Sequence, residues 1–157
     1  MGLKEKLDKD MVAAQKAGDK LKLSVTRMLK SEIKYKEIEK KDQLDEAGLI
    51  DVLSSAAKRR RESIEGFSKG NRPDLVEKEK QELEIIQQYL PQQMTSTEVS
   101  QLIDEIIFEV GAVGASDKGK VMKALMPKLK GRFDGKEAGL LVASRLEQKP
   151  SQGGELP

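Results

Sequence analysis

Apolar residues recur every three or four positions along most of the chain, which is the spacing of the buried face of an α-helix. Gly18 and Asp19 interrupt the first of these stretches, so the N-terminal region predicts two helices rather than one. A third helix is predicted over residues 45–68, and the turn residues Gly70 and Asn71 follow it. Nothing in the sequence predicts a strand.

Two prolines mark the limits of a fourth helix. Pro73 suits the first helical position, where its fixed φ is helical and its missing N–H would have no partner anyway. Pro91 disfavours helical dihedrals in the residue before it, so the fourth helix is predicted to end at Leu90. Thr95 and Glu98 then form an apparent capping box for a fifth helix, which places a domain boundary near residues 90–94.

Turn and capping residues divide the C-terminal region into three helices. Gly111 is predicted to end the fifth helix, and Ser116 is predicted to cap the sixth. A second capping box, formed by Asp134 and Glu137, predicts the start of the seventh. Pro127 lies within the sixth helix, where the missing N–H and the ring predict a break or kink one turn early.

These elements predict an all-α protein with two domains and a tail. The N-terminal domain, residues 1–92, contains the long helices, and the C-terminal domain, residues 93–148, contains three helices. Residues 149–157 are polar and Gly-rich, so this tail is expected to be disordered.

Composition narrows the chemistry that the chain can perform. Charged residues make up 36% and aromatic residues only 3%, which is typical of a solvated helical protein with an aliphatic core. The absence of Cys and His excludes disulfides, thiol nucleophiles, imidazole bases and the commonest zinc ligands. We therefore expect no metal and no cofactor. Without a long apolar run or a signal-peptide pattern, no membrane partner is expected and a cytoplasmic location is the default.

One segment departs from the even mixture of charges in the rest of the chain. The net charge is only +2, yet residues 118–132 contain six basic residues and no acid. Projected on a helix, Lys120 and Lys123 lie opposite the apolar residues of this segment. A solvated lysine face and a binding surface for a phosphate backbone both agree with this pattern. The candidate nucleic-acid-binding residues are Lys118, Lys120, Lys123, Lys128, Lys130 and Arg132.

The same segment includes a partial match to a nucleotide-binding phosphate loop. Gly114, Gly119 and Lys120 have the required spacing, but Val121 stands where the hydroxyl that coordinates magnesium should be. No predicted strand precedes the loop. The glycines are better explained as a helix end and a turn. Nearby Phe133 could stack on a base, but packing against the next helix is the preferred interpretation.

A second basic run, residues 58–61, has Arg60 in the middle of the apolar stripe of the third helix. The preferred interpretation is an Arg whose stem packs in the core and whose head pairs with a Glu from another helix. The closely spaced acids Glu77, Glu79, Glu82 and Glu84 lie among lysines and are interpreted as stabilising a helix.

Two stretches resemble a known family. NRPDLVEKEKQELEIIQQYLP, residues 71–91, and GKVMKALMPKLKGRFDGKEAGLLVASRL, residues 119–146, are together similar to the YqeY family of small bacterial proteins. The C-terminal part also resembles the tail domain of GatB, a subunit of the glutamine-dependent tRNA amidotransferase. Lys118 stands where the family usually has Met, and Phe133 stands where a smaller residue is usual.

The resemblance implies a helical N-terminal domain followed by a three-helix domain of the GatB tail type. It also implies tRNA as a partner, with the basic residues from Lys120 to Arg132 as contacts. The amidotransferase parts that hydrolyse glutamine have no counterpart here, so an accessory role without catalysis is expected. Two alternatives stay open: an adaptor that docks on a tRNA-handling enzyme, and a carbon–nitrogen ligase with glutamine as amide donor.

Overall fold

The computed structural model describes residues 2–153, with side chains for residues 2–148. All the regular structure within these residues is helical, which confirms the predicted all-α class. The chain divides into two compact units, Met1–Pro91 and Gln92–Pro157. The predicted disordered tail stays a prediction: helix is assigned as far as Gly153, and residues 154–157 lie outside the described part. None of the described helices is long and apolar enough to cross a membrane.

The first unit is built from two helical hairpins. The helices are α1 (Leu3–Ala17), α2 (Lys20–Lys40), α3 (Glu46–Lys69) and α4 (Pro73–Gln87). Helix α1 packs on α2, α3 packs on α4, and α2 also contacts both helices of the second hairpin. Their shared core is aliphatic apart from Tyr89, and its largest fully buried side chains are Leu7, Val25, Leu29, Leu53 and Ile86.

Short polar residues begin the helices where the sequence predicts breaks. Gly18 adopts the left-handed conformation, with φ of 73°, and ends α1. The Asp19 carboxylate then accepts a hydrogen bond from the Lys22 N–H at 3.1 Å, and Asp45 caps α3 in the same way. These caps supply partners for N–H groups that the helix itself leaves unbonded.

Helix α4 ends at Gln87, three residues before the predicted end at Leu90. Residues 88–90 continue as tight turns in which each N–H bonds to the carbonyl three residues earlier. This turn directs Tyr89 into the core, where its hydroxyl donates to Asp10 on α1 at 2.5 Å. Burial, together with the hydrogen bond to Asp10, raises the pKa of Tyr89. The Lys6 ammonium lies 5.3 Å from the centre of the Tyr89 ring.

The interpretation of Arg60 as a core arginine paired with glutamates is confirmed. Its stem packs in the stripe of α3, and its Nε lies 2.9 Å from Glu82 Oε2 and 3.5 Å from Glu79 Oε2, both on α4. Its Nη2 also contacts Met28 Sδ on α2 at 2.6 Å. One guanidinium therefore links three helices of the unit.

The second unit contains α5 (Ser96–Val110), a short 3₁₀-helix (Ala115–Asp117), α6 (Lys118–Leu129) and α7 (Gly135–Gly153). The three α-helices pack against each other around a core that is again aliphatic. Thr95 caps α5, because its hydroxyl oxygen accepts from the Glu98 N–H at 3.1 Å. Gly111 ends α5 in the left-handed conformation, with φ of 68°.

One local prediction in this unit is wrong and another is wrong in part. Ser116 does not cap α6: it lies within the 3₁₀-helix, and the neighbouring Asp117 carboxylate accepts from the Val113 N–H at 2.9 Å instead. The predicted break at Pro127 is absent, because α6 continues to Leu129 with Pro127 inside it, and the alternative of a kink stays a prediction. The missing Pro N–H leaves the carbonyl of Lys123 without its helical donor, and because Lys123 and Pro127 are both exposed residues, we expect water to hydrate this carbonyl.

Candidate nucleic-acid interface

The basic segment forms an amphipathic helix, α6, with one face in the core of the second unit. Val121, Leu125 and Leu129 are fully buried, whereas Lys120 and Lys123 are exposed on the opposite side. The apolar residues recur at a spacing of four, so their burial fixes which lysines face solvent. The predicted amphipathic arrangement is thus present.

Three of the six candidate residues share a side of α6. Lys120 and Lys123 are neighbours at a spacing of three, and Lys130, the residue after the end of α6, falls near Lys123 when the helical projection is continued by one residue. We call these three lysines the basic face of α6. All three are exposed, and the helix contributes no acidic side chain to this side.

The structure does not bring the other two lysines to the basic face. Lys118 lies about 200° around the helix from Lys120, given about 100° per residue. Its Nζ is 3.9 Å from the point that a Cβ on Gly139 would occupy, so this side chain reaches over α7. Lys128 is exposed on the flank of α6. Within the part of the chain that the structure describes, Lys118, Lys120, Lys123 and Lys128 form no hydrogen bond or ion pair, so their charges are available to a ligand.

Arg132 has a structural role in the loop after α6. Its Nε donates to the carbonyl of Gln92 at 3.0 Å, and its own carbonyl accepts from the Met94 N–H at 2.9 Å. The Gln93 side chain donates to the carbonyl of Gly131 at 2.7 Å. These three hydrogen bonds, which we call the loop clamp, fix residues 131–132 to the first residues of the unit. Arg132 is therefore only partly exposed.

Phe133 packs against the core of the second unit and is partly buried, which confirms the packing interpretation. The sequence reasoning missed a different aromatic residue. Phe108 is 83% exposed at the end of α5, and Val113 is 70% exposed in the following loop. A signal for Phe108 was present: it falls on the polar side of α5, outside the apolar spacing of Val99, Ile103 and Ile106.

The first unit contains an open groove of ≈ 860 Å³ between α2 and α3. Tyr35, which is 71% exposed, lies at this groove, together with Arg59 and Glu32. The Arg59 guanidinium pairs with the Glu32 carboxylate, so these charges are compensated. No cluster of His, Cys, Asp or Glu among the described residues could hold a metal ion.

Comparison with known proteins gives one family model and several relatives. The family model, described as Yqey-like protein, matches residues 4–146. "Altered inheritance of mitochondria protein 41, mitochondrial" of Lachancea thermotolerans is 43% identical over 107 residues, which cover 64% of this chain and 57% of the relative. The protein of the same name from Vanderwaltozyma polyspora is 38% identical over 119 residues, or 71% of this chain and 64% of the relative.

The chain spans about three fifths of the length of these two relatives. Their names assign them to mitochondria, and both come from yeasts, so proteins similar to this chain are not confined to bacteria. The family model covers nearly all of the residues whose side chains are described. The chain therefore belongs to the YqeY-like protein family.

Proposed function

We propose that the second unit is a tRNA-binding module that holds the phosphate backbone on the basic face of α6, with no catalysis of its own. The observation that carries this proposal is the exposure of Lys120 and Lys123 on one side of α6, a helix that contains no acid. In α4, by contrast, the two signs of charge are interspersed. A surface that carries only positive charges attracts a polyanion locally, although the net charge of the whole chain is only +2.

The expected salt dependence of RNA binding follows from the number of lysines that contact phosphate. Lys120 and Lys123, if each neutralises one phosphate, release about two counterions, so log K falls against log salt with a slope of about −1.4 to −1.8. Such a surface supplies affinity but reads no sequence. The partner is therefore recognised by its backbone, and the similarity to the GatB tail favours tRNA over duplex DNA. A cytoplasmic location belongs to the same proposal.

The test is a titration of fluorescent bulk tRNA with the purified protein at several salt concentrations, beside duplex DNA. Lys120→Glu/Lys123→Glu is expected to bind tRNA at least about tenfold more weakly, with a salt slope less steep by about 1.5. The matched control is Lys78→Glu/Lys80→Glu on α4, which makes the same change of charge at two exposed lysines of the first unit. Equal affinity of both variants and the parent chain, or no binding at low salt, would refute the proposal.

The groove between α2 and α3 favours a second candidate function, an adaptor that docks on a tRNA-handling enzyme. An exposed Tyr beside a groove is typical of a binding hot spot, because Tyr buries a large area and keeps a polar tip. Capture of such an enzyme that survives nuclease and fails in Tyr35→Ser would support it. The carbon–nitrogen ligase alternative requires glutaminase activity in the purified chain, which an accessory module lacks.

A further inference from the structure

The exposed side of α5 has the opposite charge to that of α6. Its exposed residues include four acids and no base: Glu98, Asp104, Glu105 and Glu109. Asp104 pairs with Arg145 of α7 at 2.8 Å. Glu105 and Glu109, by contrast, form no hydrogen bond or ion pair within the described residues. Phe108 projects beside Glu105 on the exposed side of the helix, and we call Glu105, Phe108 and Glu109 the acidic face of α5.

The acidic face is unfavourable in an isolated chain for two reasons. Glu105 and Glu109 are one helical turn apart, and like charges at this spacing repel. Phe108 leaves most of its ring in water, whereas the two other Phe residues, Phe67 and Phe133, are partly buried. A cationic helix placed on this face would relieve the repulsion and cover the ring.

We propose that a second copy of this chain supplies that helix, with the basic face of its α6 on the acidic face of α5. The spacing is complementary, because the carboxylates of Glu105 and Glu109 are four residues apart and the ammonium groups of Lys120 and Lys123 are three apart. The two members of each pair are thus about one helical turn apart. Met126, which is 40% exposed on α6, offers an apolar contact for the Phe108 ring. Lysine ammonium groups are themselves favourable partners for an aromatic face.

The proposed interface joins two different surfaces, so each copy carries both halves. Association of this kind either closes into a ring or pair, or continues from copy to copy. Helices α5 and α6 are each only about 20 Å long, given a rise of 1.5 Å per residue, so the contact is small and the association weak. It is also sensitive to salt, because the contributing charges are exposed.

The experiment measures the mass of the full chain by sedimentation, after nuclease treatment, from micromolar to millimolar concentration. At low salt the average mass is expected to rise with concentration above that of one chain. This association should weaken by about tenfold or more at high salt. Glu105→Lys/Glu109→Lys and Lys120→Glu/Lys123→Glu are each expected to stay monomeric alone. Their equimolar mixture is expected to associate again, because each reversed face meets a reversed partner.

A parent chain that is monomeric at millimolar concentration in low salt would overturn the proposal, as would a mixture that fails to associate. The control, Glu62→Lys/Glu84→Lys, reverses two exposed acids of the first unit and should associate like the parent chain. Circular dichroism verifies that every variant is folded. Glu105→Lys/Glu109→Lys also separates this proposal from tRNA binding, because it removes the acidic face and keeps the basic one. The two proposals can therefore fail independently.

Discussion

Replacement of Arg60 by Met should destabilise the first unit far more than the same replacement at its neighbour Arg61. The Arg60 side chain is 15% exposed, and its partners Glu79 and Glu82 are 18% and 13% exposed. Met retains most of the apolar stem but leaves two carboxylates in a nearly buried site without a cation. Arg61 has no ion pair within the described residues, so its replacement leaves no charge without a partner.

The magnitude follows from the two distances to Nε. The carboxylate oxygens lie 2.9 and 3.5 Å from the same atom, so they are at most about 6.4 Å apart, the sum of the two distances. Two unit charges at that separation repel by about 2 to 3 kcal/mol at an effective dielectric constant of about 20. Removal of one partner from a fully buried ion pair costs about 3 to 5 kcal/mol. Because these groups retain some solvent contact, we expect a loss of about 2 to 4 kcal/mol for Arg60→Met.

The assay is urea unfolding followed by tyrosine fluorescence. Both tyrosines, Tyr35 and Tyr89, lie in the first unit and the chain has no Trp, so the signal reports that unit alone. Arg61→Met should remain within about 0.5 kcal/mol of the parent chain. In Arg60→Met/Glu79→Leu/Glu82→Leu most of the loss should be recovered, because apolar side chains replace the whole ionic cluster. A loss below about 1 kcal/mol in the single variant, or no recovery in the triple variant, would refute the reasoning.

Three further changes test other features of the fold. Tyr89→Phe should cost about 1 to 2 kcal/mol through the lost hydrogen bond to Asp10. Because the pKa of Tyr89 is raised in the folded state, the phenol stabilises the fold fully below about pH 10 and loses this effect as the pH rises further. The urea midpoints of the parent chain and of Tyr89→Phe should therefore converge at high pH. Gly111→Ala should lower the melting temperature through a cost of about 1 to 2 kcal/mol at a left-handed φ of 68°. Gly114→Ala should leave the melting temperature unchanged, because Gly114 has an extended φ of −169° that any residue can adopt. Thr95→Ala should cost about 1 kcal/mol and speed hydrogen exchange at the start of α5, and unchanged protection there would contradict its capping role.

The helices were predictable because the residues that begin and end them act locally. Gly18, Pro73 and Thr95 each impose a backbone conformation or a hydrogen bond within a few residues, and the structure places a helix boundary beside each one. The end of α4 was not predictable to the residue, since it depends on a distant partner for Tyr89 on α1. Pro127 was misjudged because its cost depends on whether the carbonyl that loses its hydrogen bond reaches water.

The candidate site was predictable only in part. Helical periodicity places Lys120 and Lys123 opposite the buried residues, and the structure agrees. The involvement of Arg132 with Gln92 is a contact over forty residues and leaves no local signal in the sequence. The acids of the acidic face were not singled out from the sequence, and their importance became clear only from the exposure of Phe108.

The loop clamp has a practical consequence for anyone who isolates the second unit. A fragment that begins at residue 93 lacks the carbonyl of Gln92, which accepts from Arg132. One that begins after Met94 loses all three hydrogen bonds to residues 131–132. Because the same bonds join residues 92–94 to residues 131–132, we expect tension on the chain at residue 92 to be transmitted to the loop beside Lys130. The start of the second unit and the end of α6 are therefore expected to move together under tension.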